Sequence, residues 1–405
     1  MDFYKIDKTT GNLLNEDFML PAMVVKKSHI INNAKWMQEY ANKAGVKLAP
    51  HGKTTMCPEL FKIPIDEGAW GMTLANAFQV RVAHAHGINK ILMANQLVGK
   101  QNIKVILDEL KSDAQLEFYC LIDNIDNIRA LAECCREENM QQPLNLLIEI
   151  APAHGRAGVR TSCEVIELAQ EIKKHSPWIR LSGIECYEGV IHCENPVPVV
   201  NEFLHFVAKT AVEVEELDLY DADKLILTGG GTVFFDRVSE ILTKTPLKTP
   251  FEVLIRPGCY LSHDSGIYDE FQKELVERDA IAKTIDSDLE SAIEVLTYVQ
   301  SIPEPGLAIL TMGKRDVSFD SGLPNPAKLY RINEKNLQVL CNNWELSDLN
   351  DQHAFLKFPK EENLTVGDII ISQVSHPCLT FDKWQAIALV DENYEVVDTL
   401  KTYFG

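Results

Sequence analysis

Nothing in the sequence approaches about 18 uninterrupted apolar residues, so no helix is expected to span a bilayer. Basic charge is in short supply: 39 Lys and Arg stand against 59 Asp and Glu, a net charge of −20. Such a surface repels phosphate backbones and anionic lipid, which argues against nucleic acid or membrane as a partner. Residues 1–17 carry no apolar stretch of the secretory kind, and the 10 cysteines lack the regular spacing of a disulfide scaffold. Reduced thiols and a cytoplasmic location are the expectation. Internal repeats and low-complexity tracts are also missing, which argues against a solenoid or a disordered chain. What remains is an ordinary globular composition, 46% hydrophobic and 24% charged over 405 residues. That is room for roughly two to three domains, or for one large barrel with a smaller companion.

Dense apolar runs recur at 46–53, 69–74, 90–94, 116–123, 144–151, 180–187, 224–228 and 251–256. Most are rich in Ile, Leu and Val with little polar alternation, the pattern of strands buried on both faces. Helical patterns lie between them. Ile30, Ala34, Met37 and Ala41 recur at helical spacing before Gly45. Thr161 with Glu164 reads as a capping box ahead of Val165, Leu168, Ala169 and Ile172, and Pro177 ends that segment. Eight buried strands, each with room for a helix, predict an α/β fold with a (β/α)8 TIM-type barrel over 27–275; an open doubly wound sheet is the competing arrangement. After residue 275 short runs at 296–301, 306–312, 337–341, 369–374 and 386–390, split by Pro, Gly and Asn, predict a second, mainly antiparallel β domain over 276–405. The apolar stretch 21–26 assigns residues 1–26 to that same domain, which makes it discontinuous.

Active sites of such barrels are built at the C-terminal ends of the strands. The first strand ends in Pro50-His51-Gly52-Lys53-Thr54. A lysine there is expected to be desolvated, which lowers its pKa and frees the amine for Schiff-base chemistry; the plainer alternative is a surface lysine with a snorkelling stem. After the seventh strand comes Gly229-Gly230-Gly231-Thr232, where backbone N–H groups can approach an anion, with Gly258 and Tyr260 from the eighth completing the cup. Otherwise the triplet is only a flexible turn. Together these predict pyridoxal 5'-phosphate, held by Lys53 and by its phosphate at Gly230, Gly231 and Thr232. Arg156 and Tyr187 are expected near the ring, with a surface ion pair and a core aromatic as their plainer readings. Thr73 and Gln79, from the end of the second strand, join the cofactor set. In the β domain, an extended Ser375-His376-Pro377-Cys378 would project His376 and Cys378 to one face. Imidazole plus thiolate is a zinc-type pair that leaves positions open; a buried structural cysteine is the alternative.

In order and spacing these segments, with Gly155-Arg156-Ala157-Gly158-Val159, Tyr187-Glu188-Gly189 and Arg256-Pro257-Gly258-Cys259-Tyr260, resemble the D-serine dehydratase and D-threonine aldolase family. These are fold-type III pyridoxal-phosphate enzymes, relatives of alanine racemase, and the resemblance runs over nearly the whole chain. It implies a homodimer with sites near the subunit contact. It implies that Lys53 is the Schiff-base lysine and that Gly230, Gly231, Thr232, Gly258 and Tyr260 bind the phosphate. Tyr187 then lies near the pyridine nitrogen, Arg156 near the ring hydroxyl, and His376 with Cys378 holds a divalent metal, zinc being the first choice. The family's dehydratases tend to carry His-x-Cys and its aldolases His-x-Asp. The implied activity is therefore dehydration and deamination of a β-hydroxy D-amino acid, such as D-serine or D-threonine, to a 2-oxo acid and ammonia. Retro-aldol cleavage to glycine and an aldehyde is the close rival. A racemase needs no metal, and the non-catalytic pyridoxal-phosphate carriers are shorter single-domain proteins. Gly52 departs from the Ala or Val that many relatives carry there.

Overall fold

The computed structural model describes residues 6 and 10–404; the expected β-domain segments on residues 1–5, 7–9 and 405 lie outside them. Strand β1 (Ala22–Lys26) comes first. Eight parallel strands follow: β2 (Lys47–Leu48), β3 (Met72–Leu74), β4 (Lys90–Gln96), β5 (Glu117–Ile122), β6 (Leu144–Ile150), β7 (Ile179–Cys186), β8 (Leu225–Gly229) and β9 (Phe251–Ile255). They hydrogen-bond in the order β2-β9-β8-β7-β6-β5-β4-β3. The remaining seam is bridged. The Trp70 amide donates to the Leu48 carbonyl and the Thr73 amide to the Pro50 carbonyl, each at 2.8 Å, and His51 pairs with Thr73. The sheet therefore curls into a barrel instead of staying open. Central β6 is buried at every position, which is why its run shows no polar alternation. Helix Lys27–Ala44 stops at Gly45, whose φ of 70° lets its amide reach back to the Ala41 and Asn42 carbonyls. Helix Ser162–Lys174 opens on the Thr161–Glu164 capping box.

The second sheet collects β10 (Ile293–Glu304), β11 (Leu307–Leu310), β12 (Asn325–Arg331), β13 (Asn336–Val339), β14 (Glu345–Leu349), β15 (Ala354–Lys357), β16 (Ile369–Gln373), β17 (Ala386–Val390) and β18 (Val396–Lys401). Its main path is β13-β12-β16-β10-β1-β17-β18. Strand β1 pairs antiparallel with β10 and parallel with β17; the other pairs are antiparallel. The segment after β16 docks on barrel loops. The Ser265 amide donates to the Val374 carbonyl at 3.4 Å, and the Thr54 hydroxyl lies 3.4 Å from Cys378 Sγ. This contact carries residues of the β domain to the mouth of the barrel. Among the described residues no helix is long and apolar enough to cross a membrane.

Candidate active site

Period two along the barrel strands carries the inward face from apolar to polar. Leu147 and Leu254 belong to the inner cluster with Ala49, Leu92, Tyr119, Leu121 and Ile226. Two residues further along their strands the same face presents Glu149 and Arg256. Arg256 forms a buried ion pair with Glu185 of β7 and donates to the Cys186 carbonyl at 3.2 Å. Gln96 donates to Glu149 at 2.5 Å. Glu149, Glu185 and Arg256 floor a cavity of about 270 Å³. Burial, then repulsion from Glu185, pushes the Glu149 carboxyl up to about 7. Burial also raises Glu185, against the pull of Arg256. Arg256 Nη1 and Glu185 Oε2 are buried without a hydrogen-bond partner; an unpaired donor and acceptor on a cavity floor fit a polar ligand.

Lys53 stands on the wall of this cavity in a 3-10 turn, Gly52–Thr54. The expected strand to Lys53 ends early: after Leu48 the Ala49 and His51 amides still reach the Ile255 and Pro257 carbonyls, and the chain then turns. His51 caps the turn, its Nδ1 accepting from the Lys53 amide at 3.4 Å. Lys53 is exposed, which corrects the expectation of a desolvated lysine: the turn lifts it off the sheet into the open cavity. The departure at Gly52 has a packing cause, since a Cβ there would lie 2.9 Å from both Leu74 Cδ2 and Phe61 Cε1. Burial, followed by the charges of Lys53, Arg256 and Arg156, holds His51 well below its ordinary pKa.

Tyr187 sits between two glycines. A Cβ on Gly189 would come within 2.6 Å of Tyr187 Oη, and one on Gly231 within 2.8 Å of Cε2. The Arg156 guanidinium lies 5.4 Å from the same ring's centroid. The glycine-rich loop is spoken for in part. The Gly230 and Gly231 amides donate, at 3.1 and 3.2 Å, to the carboxylate of buried Glu188. Those donors hold the loop to β7's end, and the loop surface that reaches the cavity is Gly231 and Thr232, with Gly258 beside it.

The cavity has a second group of donors, gathered from three loops. His376 Nδ1 lies 2.8 Å from Asp320 Oδ2, an arrangement that fixes the ring and leaves Nε2 for a ligand. Cys378 Sγ is 3.6 Å from Cys259 Sγ. One donor atom each from Cys259, His376 and Cys378 can be chosen so that all lie within 4.8 Å of one another. Hydrogen bonds with Cys259, His376 and Thr54 hold the Cys378 thiol well below its usual range despite burial. Its bond to Cys378, with help from Asp320, raises His376 to about 9. A thiol held low beside a histidine that Asp320 orients fits a divalent metal, which takes the place of the His376 Nε2 proton on binding. The predicted extended segment is corrected, however. Pro377 is helical (φ −63°, ψ −47°) and Cys378 starts the helical turn Cys378–Phe381. A turn, not a strand face, brings the two side chains together, and the Thr380 hydroxyl pins it by donating to the His376 carbonyl at 3.0 Å.

Of the predicted residues, Lys53, Arg156, Tyr187, Gly231, Thr232, Gly258, His376 and Cys378 line the one cavity; Thr73, Gln79, Gly230 and Tyr260 do not. Thr73 Oγ1 donates to the Ala49 carbonyl at 2.7 Å, and Gln79 Oε1 accepts from the Ala75 amide at 2.8 Å, so both tie loops together behind the wall. Tyr260 is fully buried in the core. Sequence reasoning missed Glu149, Glu185, Arg256, Cys259, Tyr268 and Asp320 as site residues. The inward alternation two residues beyond Leu147 and Leu254 signals Glu149 and Arg256. Asp320 comes from the loop between β11 and β12, where no local pattern announces it.

Comparison with known proteins follows the same division. The family model described as "Alanine racemase, N-terminal domain" matches residues 25–207, and "Putative serine dehydratase domain" matches 292–390. A D-threonine aldolase of an Arthrobacter species is 23% identical over 381 residues, covering 91% of this chain and 88% of its own. A D-serine dehydratase of Dictyostelium discoideum is 21% identical over 410 residues, covering 94% and 95%. The solved structure of D-threo-3-hydroxyaspartate dehydratase from Delftia sp. HT23 matches with a TM-score of 0.75 at 18% identity, over 97% of this chain and 99% of that one.

Proposed function

We propose a function from one premise: the chain belongs to the D-serine dehydratase and D-threonine aldolase family of fold-type III pyridoxal-phosphate enzymes. Within that family we read it as a metal-assisted lyase that removes water and ammonia from a β-hydroxy D-amino acid, D-serine or D-threonine in type. The observation that carries this reading is that Lys53 and the His376–Cys378 pair line a single cavity. Pyridoxal phosphate, when bound, supplies an electron sink for a carbanion at the substrate Cα. Lys53 would hold its aldehyde carbon, Thr232, Gly231 and Gly258 its phosphate, and Tyr187 with Arg156 its ring. The Lys53 amine, once free, takes the Cα proton as general base. His376 and Cys378 would hold zinc, which makes the β-hydroxyl a better leaving group by Lewis acidity. Loss of the proton and the hydroxyl leaves an enamine, which water converts to the 2-oxo acid and ammonia. A homodimer in the cytoplasm, acting on a small amino acid, belongs to the same proposal.

Retro-aldol cleavage is favoured by one observation. His51 lines the same cavity and is kept neutral by burial among cations, so it can accept a β-hydroxyl proton at neutral pH. A substrate panel separates the two. D- and L-serine, D- and L-threonine and D-threo-3-hydroxyaspartate are assayed for 2-oxo acid with ammonia and for glycine, with and without EDTA. The expected result is 2-oxo acid from a D isomer, lost on chelation. Glycine as the sole amino product would overturn the dehydratase in favour of the aldolase.

A further inference from the structure

The sulfur of Cys259 is not accounted for by a two-residue metal site. It is buried at the end of the eighth barrel strand's loop, yet it lies 3.6 Å from Cys378 Sγ. Two thiolates bound to one tetrahedral zinc through bonds of about 2.3 Å come to rest about 3.8 Å apart, close to the separation seen here. A disulfide would need about 2.05 Å; the two sulfurs share a hydrogen bond at 3.6 Å, a spacing at which an ion can take the place of the shared proton. The Asp320 carboxylate turns His376 so that its Nε2 serves the same point. Thr54, 3.4 Å from Cys378 Sγ and 4.0 Å from Cys259 Sγ, holds both sulfurs from the Lys53 turn.

We propose that Cys259 is a third protein ligand to the metal, so that the centre is Cys259–His376–Cys378 and spans barrel and β domain. The inference rests on the reading that His376 and Cys378 hold a metal. Binding forms three metal–ligand bonds and releases two protons to solvent, one from the Cys259 thiol as its sulfur becomes a thiolate ligand and one from His376 Nε2 as the ring becomes a neutral ligand. Three protein ligands leave a fourth position for the substrate hydroxyl, the usual pattern of catalytic zinc. Two soft thiolates also select zinc or cobalt over magnesium or manganese. The specificity for metal would then be set partly by the barrel, and the ion would clamp the β domain onto the barrel mouth.

Zinc K-edge X-ray absorption on the holoenzyme with one equivalent of zinc counts the sulfurs directly. Two sulfur scatterers at about 2.3 Å are expected in the native protein, and one in Cys259→Ser and in Cys259→Ala. Competition with a chromophoric chelator should show zinc held at least about 100-fold more weakly by both variants, beyond the loss that outer partners cause. One sulfur in the native protein, with affinity unchanged by Cys259→Ser, would overturn the third ligand and leave the His376–Cys378 site standing. No sulfur at all, with zinc uptake indifferent to Cys378→Ala, would sink both. The native sulfur count decides the matter even if a Cys259 variant does not fold.

Discussion

Two histidines line one cavity from opposite electrical poles. His51 faces Lys53, Arg256 and Arg156, and burial among those cations keeps it neutral. His376 faces the Cys378 thiolate and Asp320, and is raised to about 9. The residue type is the same and the shifts have opposite sign, so the surroundings differ, not the side chain. In a chain of net charge −20, the barrel end of the cavity is a local concentration of positive charge, and the β-domain end a concentration of thiolate and carboxylate. An anionic cofactor and a metal cation can therefore share a small space, each met by preorganised charge of the opposite sign.

The comparison breaks if the poles are not separable. On the proposed function, Lys53→Ala should cost the most: turnover of a D-β-hydroxy amino acid falls by about 10⁴-fold, the upper range for a lost general base, and the visible colour that pyridoxal phosphate would give the protein disappears. Zinc content, measured by elemental analysis, should stay at one per chain. His376→Ala should do the reverse. Zinc is lost, turnover drops by about 10²–10³-fold, and the colour persists, since a Lewis acid is worth several kcal/mol to the departing hydroxyl. Zinc lost with Lys53, or colour lost with His376, would mean that one end cannot form without the other.

The barrel end was far more legible than the metal end. Most barrel strands, β6 above all, advertised themselves because burial on both faces leaves little room for polar residues, and Lys53, Arg156, Tyr187 and Thr232 sit at strand ends where the topology collects function. Glu188 was invisible in its role: it is named by a motif, but only the fold shows its carboxylate filling the Gly230 and Gly231 amides. Strands β12, β14 and β18 escaped notice because polar residues interrupt them, and β15 because it is only four residues long. In β14, for example, only Leu346 and Leu349 are buried, a spacing of three that mimics a helix. The metal end is assembled from residues 259, 320 and 376–378, which are distant in sequence and meet only when the sheets pack. Asp320 had no signal at all, and it gives the next prediction. Asp320→Asn keeps the size but weakens the hold on His376 Nδ1, so zinc affinity should fall about 10–100-fold, with the cofactor colour untouched. An affinity unchanged in chelator competition would remove Asp320 from the metal pole.

The last expected effect, read in stability and not in turnover or metal affinity, tests how positive the barrel pole is. Its floor holds two carboxyls, Glu185 paired with Arg256 and Glu149 held at about 7 by burial and by Glu185. A fully ionised Glu149 would offset the cations that depress His51; a half-protonated one leaves the pole positive at neutral pH. The sign for stability follows from linkage. The folded carboxyl keeps its proton where the unfolded one, near 4.3, has lost it. The folded state thus binds more protons between about pH 4.3 and 7, stability declines as pH rises through that window, and the deficit persists above it. Glu149→Gln removes the deficit while its side-chain oxygen still accepts from Gln96. Thermal unfolding of the holoenzyme should therefore show the variant stabilised by at most about 4 kcal/mol at pH 8, with a smaller gain at pH 5. An equal shift at both pH values would mean that Glu149 is ionised throughout, and that the cationic pole is weaker than the neutral His51 implies.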